Sequence, residues 1–261
     1  MDLRNLSESI GPRAENARPI DQEERTLYGG LLITPPFFEL GPKAYLYGEK
    51  AVQMAVFADQ LSRRYNVQII FTPQYADISR AAGATKDLLV FAQHMDPIRP
   101  GRGIGSVLPE SLKQAGAQGV LLNHAEKSLE YDILEKTIQR ADEVGLASLV
   151  CAGSLDEIRR VAMMNPNIVL AEPPELIGVG KRSDEDQKAI QKINNLVGDI
   201  NPAIRVLHGA GISNGQDVYD IIALGAQAAG STSGVLLADD PFAMLEEMIH
   251  NVRKAWNDTH P

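Results

Sequence analysis

Cysteine and long apolar runs are scarce in this sequence. Cys151 is the single cysteine among 261 residues, which excludes an intramolecular disulfide framework, and its place inside SLVCA (148–152) predicts a small buried side chain. No apolar run has the length of a transmembrane helix, and residues 1–19 contain no apolar stretch typical of a signal peptide. We therefore expect a soluble, cytoplasmic protein with no membrane partner.

Basic residues are outnumbered by acidic ones. The sequence has 25 Lys and Arg against 34 Asp and Glu, a formal net charge of −9. This balance argues against a non-specific nucleic-acid binder, whose phosphate contacts need clustered cations. His94 and Asp96 lack the further ligands that a metal site requires, so we expect a structural hydrogen bond between them and no metal. An anionic ligand would need a local positive site.

Eight short apolar, β-branched segments alternate with longer amphipathic segments. They are FFEL (37–40), VQIIF (67–71), LLVFA (88–92), GVLLN (119–123), SLVCA (148–152), NIVLAE (167–172), IRVLH (204–208) and AQAAG (226–230). This alternation is typical of parallel strands that are buried on both faces and joined by helices. The sequence predicts the α/β class and one (β/α)8 TIM barrel of eight parallel strands over residues 31–261, preceded by a polar arm at residues 1–30.

Capping residues mark the starts of two predicted helices. Ser154 precedes LDEIRR with Glu157 three residues later, which is the pattern of a capping box, and Asp240-Pro241 opens the last helix. Both helices follow a predicted strand, as a barrel requires.

Polar residues close several of the predicted strands, where a barrel of this kind carries its catalytic groups. Glu172 ends the sixth strand and His124 follows the fourth. A carboxylate can remove a proton from a carbon beside a carbonyl while an imidazole donates to the oxygens. These two groups suffice to move a carbonyl along a sugar, so we expect no cofactor. His208, at the end of the seventh strand, is expected to face the mouth, with a substrate contact and a structural role both open.

Two turns rich in glycine and serine follow the last two strands. One contains Gly211 and Ser213, the other Ser233 and Gly234, and each leads into a predicted helix. Backbone N–H groups at such turns can bind a phosphate. The candidate ligand is therefore a small phosphorylated sugar.

Several segments resemble the archaeal-type triosephosphate isomerase family. FAQHMDPIRPGRGIGSVLPESLKQAGAQGVLLNHAEKSL (91–129) is similar to the family's third and fourth βα units. AEPPELIGVGK (171–181) resembles its catalytic strand end and flexible loop six, and HGAGISNGQDV (208–218) its phosphate turn. Together with TPQ (72–74), these motifs keep the family's order along the chain.

The resemblance implies a role for each candidate residue. Glu172 would be the base, His124 the electrophile, and residues 173–180 the lid that closes over the substrate. Glu126 would pair with the active-site lysine. Gly178, Ser213, Ser233 and Gly234 fall on the phosphate-binding positions, and Gly180 and Gly211 beside them complete the predicted phosphate site. The resemblance also implies a homodimer or homotetramer, with the long loop 96–106 as the segment that reaches a neighbour.

The end of the first predicted strand departs from the family pattern. The family ends this strand with Asn-x-Lys, whose asparagine and lysine both reach the substrate oxygens. Aligning Gly41-Pro42-Lys43 keeps the lysine and replaces the asparagine by glycine, whereas the register Thr34-Pro35-Pro36 loses both. We prefer the first register, because Lys43 supplies positive charge for an anion and gives Glu126 a cation to hold. Ala125, where many members have serine, is a second departure.

Three functions stay open at this point. The first is an aldose–ketose isomerase of carbohydrate metabolism that interconverts glyceraldehyde 3-phosphate and dihydroxyacetone phosphate, using Glu172, His124 and Lys43. The second keeps this mechanism on a four-carbon or other ketose phosphate, because Gly41 opens space where the family has asparagine. The third is a catalytically weak barrel that binds phosphorylated sugars or was recruited for a lyase reaction.

Overall fold

The computed structural model describes residues 26–28, 31–172, 184–209 and 211–260. At its centre parallel strands form a closed barrel. The barrel strands are β3 (Phe37–Leu40), β4 (Gln68–Phe71), β5 (Leu89–Ala92), β6 (Gly119–Leu122), β7 (Ala147–Ala152), β8 (Ile168–Ala171), β9 (Arg205–His208) and β10 (Ala228–Ser231). Their order around the barrel is β10-β3-β4-β5-β6-β7-β8-β9. Each predicted strand overlaps one of these, although the last begins two residues later than expected. The predicted eight-stranded barrel is confirmed.

A short antiparallel hairpin precedes the barrel. It consists of β1 (Thr26–Tyr28) and β2 (Leu31–Ile33), and Ile33 is fully buried in the same cluster as Phe37 and Ala228. The predicted domain boundary after residue 30 therefore falls between the two strands of one hairpin. Residues 1–25 lie outside the described residues, so their assignment as an arm stays a prediction.

Helices lie between and after the barrel strands. They are α1 (Gly48–Tyr65), α2 (Ile78–Ala84), α3 (Pro109–Gln114), α4 (Tyr131–Val144), α5 (Leu155–Met163), α6 (Asp184–Ile200), α7 (Gly215–Ala223), α8 (Ser233–Leu236) and α9 (Pro241–Thr259). Both predicted caps are present. Ser154 and Glu157 form a reciprocal capping box at α5, and the Asp240 side chain accepts hydrogen bonds from the N–H groups of Phe242 and Ala243. These caps set where each helix begins relative to the preceding strand.

Side chains along each strand alternate between two apolar layers. Phe37 and Phe91 belong to the cluster inside the barrel, where Cys151 is buried as predicted, whereas Phe38 and Leu40 pack against the helices. In β3 the alternation places Glu39 on the same side as Phe37, one step nearer the carboxyl ends of the strands. The apolar interior thus gives way to polar side chains at that end.

Within the described part of the chain, no helix has the length and apolar character needed to cross a lipid bilayer.

Candidate active site

A cavity of about 720 Å³ opens at the carboxyl ends of the barrel strands. It brings together all but one of the predicted site residues that the structure describes: Gly41, Lys43, His124, Glu126, Glu172, Gly211, Ser213 and Ser233. Gly234 does not line the cavity. Gly178 and Gly180, with the predicted lid at 173–180, lie outside the described residues, so no structural statement is made about them.

His124 caps a short 3-10 helix formed by Ala125–Lys127 directly after β6. Its Nδ1 accepts a hydrogen bond from the Glu126 backbone N–H at 3.1 Å. A ring nitrogen that accepts carries no proton, so the neutral imidazole has its proton on Nε2. The half-buried ring therefore has a donor available to a ligand in the cavity.

Lys43 forms the ion pair that the preferred register predicts. Its Nζ lies 2.7 Å from Glu126 Oε1, and this hydrogen bond lowers the pKa of the Glu126 carboxyl. The alternative register is wrong, because Thr34 is buried before the start of β3 and its N–H donates to Gln68 Oε1. The structure thus has an ammonium group in the cavity wall of an acidic protein.

Two glutamine side chains hold the backbone of Lys43, and sequence reasoning missed both. The φ of Lys43 is 47°, in the left-handed region that non-glycine residues rarely adopt. Its carbonyl accepts hydrogen bonds from Gln74 Nε2 at 2.7 Å and Gln93 Nε2 at 2.9 Å, and Gln93 also donates to the Thr72 carbonyl. The sequence signal that could have indicated them is a glutamine shortly after each of two successive strands, in TPQ (72–74) and FAQ (91–93).

Glu172 follows β8 and lies against a glycine of the next strand end. Its N–H donates to the Ala152 carbonyl at 3.0 Å, and its half-buried side chain lines the cavity. A Cβ at Gly209 would lie 3.1 Å from Glu172 Oε1 and 2.8 Å from Leu170 Cδ1. Glycine at position 209 therefore leaves the space in which the carboxylate lies.

The two predicted phosphate turns contact each other. Ser231 Oγ donates to the Ile212 carbonyl at 3.1 Å, and a Cβ at Gly234 would lie 2.5 Å from that same oxygen. Glycine is needed at position 234 for this close approach. The Ser213 N–H donates to Asp217 Oδ2 at 2.8 Å, so this donor is engaged within its own turn.

Glu39 is a carboxyl group of the cavity that sequence reasoning also missed. It is buried, lines the cavity, and accepts a hydrogen bond from Thr72 Oγ1 at 3.2 Å. Burial, aided by the negative charge of Glu172, raises the pKa of Glu39 to about 8. The signal was an acidic residue inside the buried run FFEL.

Glu39 also changes the interpretation of Gly41. A Cβ at Gly41 would lie 2.7 Å from Glu39 Oε1, so the room that this glycine leaves is taken by a carboxyl group. The Glu39 carboxyl therefore occupies the position that a side chain at residue 41 would enter. The glycine permits a different polar side chain to enter the site.

Two further histidines have structural contacts, and one of them, His94, also lines the cavity. His94 Nε2 lies 3.3 Å from Asp96 Oδ1, as expected, and burial lowers the pKa of the His94 ring. His208 Nε2 lies 3.0 Å from Asn194 Oδ1 of α6. The expectation that His208 faces the mouth is wrong, because alternation in β9 turns Leu207 inward and His208 toward the helices. The described residues contain no group of three His, Cys, Asp or Glu arranged to hold a metal.

Comparisons with known proteins agree with this architecture. The sequence model of the triosephosphate isomerase family matches residues 43–249. The chain is 39% identical over 220 residues to the triosephosphate isomerase of Methanobacterium bryantii, covering 83% of this chain and 97% of that protein. It is 37% identical over 226 residues to the enzyme of Sulfurisphaera tokodaii, covering 85% and 98%.

A solved structure shares the fold. The triosephosphate isomerase from Bartonella henselae superposes with a TM-score of 0.65 at 20% identity, over 82% of this chain and 98% of that one. The structural likeness covers nearly all of that protein, and the sequence relationship covers nearly the whole of each relative. This chain belongs to the triosephosphate isomerase family.

Proposed function

We propose that this chain is an aldose–ketose isomerase that interconverts glyceraldehyde 3-phosphate and dihydroxyacetone phosphate. The observation that carries the proposal is that Glu172 and an Nε2–H donor of His124 line one cavity together with the Lys43–Glu126 ion pair. The relatives that match 83% and 85% of the chain are named triosephosphate isomerases. A base, a neutral donor and a cation are the groups that an enediolate intermediate requires.

The reaction transfers one proton between neighbouring carbons. Glu172 removes the proton from the carbon beside the carbonyl and returns it to the adjacent carbon. His124 donates from Nε2 to the oxygen on which negative charge develops, and Lys43 stabilises the same charge. A glutamate base acting with a neutral histidine is the scheme by which triosephosphate isomerase works. Acid–base groups suffice because no net electrons leave the sugar.

The phosphate of the substrate would bind at the other side of the cavity. Ser213 and Ser233 line the cavity, and the hydrogen bond from Ser231 Oγ to the Ile212 carbonyl joins their two turns. Binding energy from a phosphate remote from the reacting carbons can be used to orient them. The substrate is therefore a small phosphorylated sugar with its carbonyl end toward Glu172.

We also infer a cytoplasmic homo-oligomer, a dimer or tetramer, in which the loop 96–106 contacts a neighbouring subunit. Arg140 Nε donates to the Ile98 carbonyl at 3.0 Å and fixes the base of this loop, while the Ile104 side chain is fully exposed. An exposed isoleucine on a fixed loop favours burial in an interface.

A coupled assay on the purified protein tests the isomerase. We expect turnover of both triose phosphates, and we expect Glu172→Gln to lower kcat by about 1,000-fold because the amide cannot accept the proton. Glu135→Gln, an exposed position on α4, is the matched control and should retain wild-type activity. Absence of interconversion by the wild-type protein, or unchanged turnover by Glu172→Gln, would refute the proposal.

A further inference from the structure

Glu39 lies at the floor of the cavity and has no role in the mechanism above. It belongs to β3, where it pairs in register with Gly230 of β10 and Ile70 of β4. The residue is 6% exposed, and this small exposed surface faces the cavity that it lines. A ligand in the cavity can therefore reach this carboxyl group.

Two glycines leave room for the carboxyl group. A Cβ at Gly41 would lie 2.7 Å from Glu39 Oε1, and a Cβ at Gly230 would lie 3.2 Å from Glu39 Oε2. These glycines come from β10 and from the end of β3, on two sides of the same carboxyl. Thr72 Oγ1 donates to Oε1 at 3.2 Å from a third direction. The carboxyl group is thus confined to one position at the floor of the site.

The charges nearby determine what this group can offer to a ligand. Burial and the negative charge of Glu172 raise the pKa of Glu39 to about 8, against the opposing effects of the Thr72 hydrogen bond and of Lys43. At pH 7 the group is then a neutral acid with one O–H donor. In the same cavity, Glu172 would then act as the base and Glu39 as a hydrogen-bond donor.

We propose that Glu39 contacts the substrate and donates a hydrogen bond from its carboxyl group to the oxygens between which the carbonyl moves. It acts as a second donor beside His124 and adds to the stabilisation of the enediolate. This proposal rests on the proposed isomerase function and names one more catalytic residue for it. The step itself forms and breaks no covalent bond at Glu39.

Substitutions at position 39 distinguish a hydrogen-bonding role of the side chain from a packing role. Glu39→Gln keeps the length of the side chain and an N–H donor, whereas Glu39→Met keeps the length and removes the donor. We expect Glu39→Gln to retain kcat for the triose phosphates within about tenfold and Glu39→Met to lose about 100-fold in kcat, with a smaller change in KM. Equal kcat values for the two variants would overturn the proposal, since a packing role needs only the volume.

A double-mutant cycle tests the geometry independently. Gly41→Ala should displace the Glu39 carboxyl and lower kcat, but it should cost little in a Glu39→Ala background, where the overlapping oxygen is absent. Thermal unfolding of each variant checks that the barrel is intact. If Gly41→Ala is equally harmful in both backgrounds, the alanine acts elsewhere and the proposed role of Glu39 is wrong.

Ligand binding distinguishes failure of this proposal from failure of the isomerase function. Inactive wild-type protein would refute the isomerase alone. Calorimetric titration with 2-phosphoglycolate, an enediolate mimic, would then still report on Glu39. We expect wild type and Glu39→Gln to bind it about tenfold more tightly than Glu39→Met, because only the first two donate a hydrogen bond. Equal affinities for all three would contradict the Glu39 proposal.

Discussion

Lys43 combines a charged side chain with a strained backbone. Its left-handed φ of 47° costs a residue other than glycine about 1 to 2 kcal/mol. The amides of Gln74 and Gln93 both donate to its carbonyl and hold the peptide in this conformation. Strain of this kind persists where the surroundings impose it, and it concentrates at functional sites. Here it positions the ammonium group toward Glu126 and the cavity.

Removing one of these amides should misplace the ammonium group. We expect Gln93→Leu to lower kcat/KM by at least tenfold, because small misplacements in an active site cost about 100-fold in rate. Steady-state kinetics with triose phosphates measures the effect. Gln114→Leu, at an exposed position on α3, is the matched control. Equal kcat/KM values for these two variants would show that Lys43 does not depend on Gln93.

The raised pKa of Glu39 predicts how stability depends on pH. The folded protein keeps this proton up to about pH 8, whereas the unfolded chain releases it near the ordinary glutamate pKa of 4.5. The free energy of unfolding of wild type should therefore fall between these pH values, by about 5 kcal/mol at 1.36 kcal/mol per pKa unit. Glu39→Gln has no such proton, so its stability relative to wild type should rise across this range.

Urea unfolding of both proteins at several pH values between 5 and 9 measures this difference. A stability difference that stays constant with pH would mean that Glu39 has an ordinary pKa in the folded state.

At the scale of elements, one buried carboxylate ties α1 to the start of β5. Asp59 Oδ1 accepts hydrogen bonds from the N–H groups of Lys86, Asp87 and Leu88 at 2.9, 2.7 and 2.9 Å. Its Oδ2 lies 2.7 Å from Arg63 Nη2 on the same helix. The third barrel strand, and with it Gln93, is thereby fixed relative to the helix that follows Lys43.

Truncation of this carboxylate should be costly. We expect Asp59→Ala to lower the free energy of unfolding by about 3 kcal/mol, because it leaves three backbone donors without their acceptor. Asp59→Asn keeps the Oδ1 acceptor and should lose less than half as much. Urea unfolding compares the two variants with wild type, and equal losses would show that the charge, and not the backbone contacts, carries the effect.

At the scale of the whole molecule, the barrel collects residues that are far apart in sequence. Lys43 and Glu126 are separated by 83 positions in the sequence, yet Lys43 Nζ lies 2.7 Å from Glu126 Oε1. The barrel also presents the loop 96–106 outward, with Ile104 exposed. The proposed oligomer depends on this outward face.

Ile104→Asp should therefore reduce the mass of the protein in solution toward that of a monomer, because a charge is costly to bury in an interface. Sedimentation or light scattering measures the mass of wild type and variant. Met163→Asp, at another exposed apolar side chain on α5, should leave the mass unchanged. A wild-type protein that is already monomeric would contradict the proposed assembly.

Most of the fold could be predicted from the amino-acid sequence. The eight apolar segments, the capping box of Ser154 and the Asp240 cap were predicted correctly, since hydrophobic alternation and capping are local properties. Because the carboxyl ends of all strands in such a barrel lie at one end, the predicted topology also placed Glu172 and His124 together. The predicted partner of Lys43 also followed, through the resemblance to the family.

The direction in which individual side chains point, and the identity of the side chain that fills a given space, depended on tertiary structure. His208 faces a helix because of its position in the alternation of β9, and Gln93 after β5 reaches Lys43 after β3 across the end of β4. Glu39 occupies the room beside Gly41 and Gly230, and the second of these arrives from the last barrel strand. Such contacts join positions almost 200 residues apart, as barrel closure does. Only the closed barrel therefore decides that the room beside Gly41 and Gly230 holds a carboxyl group.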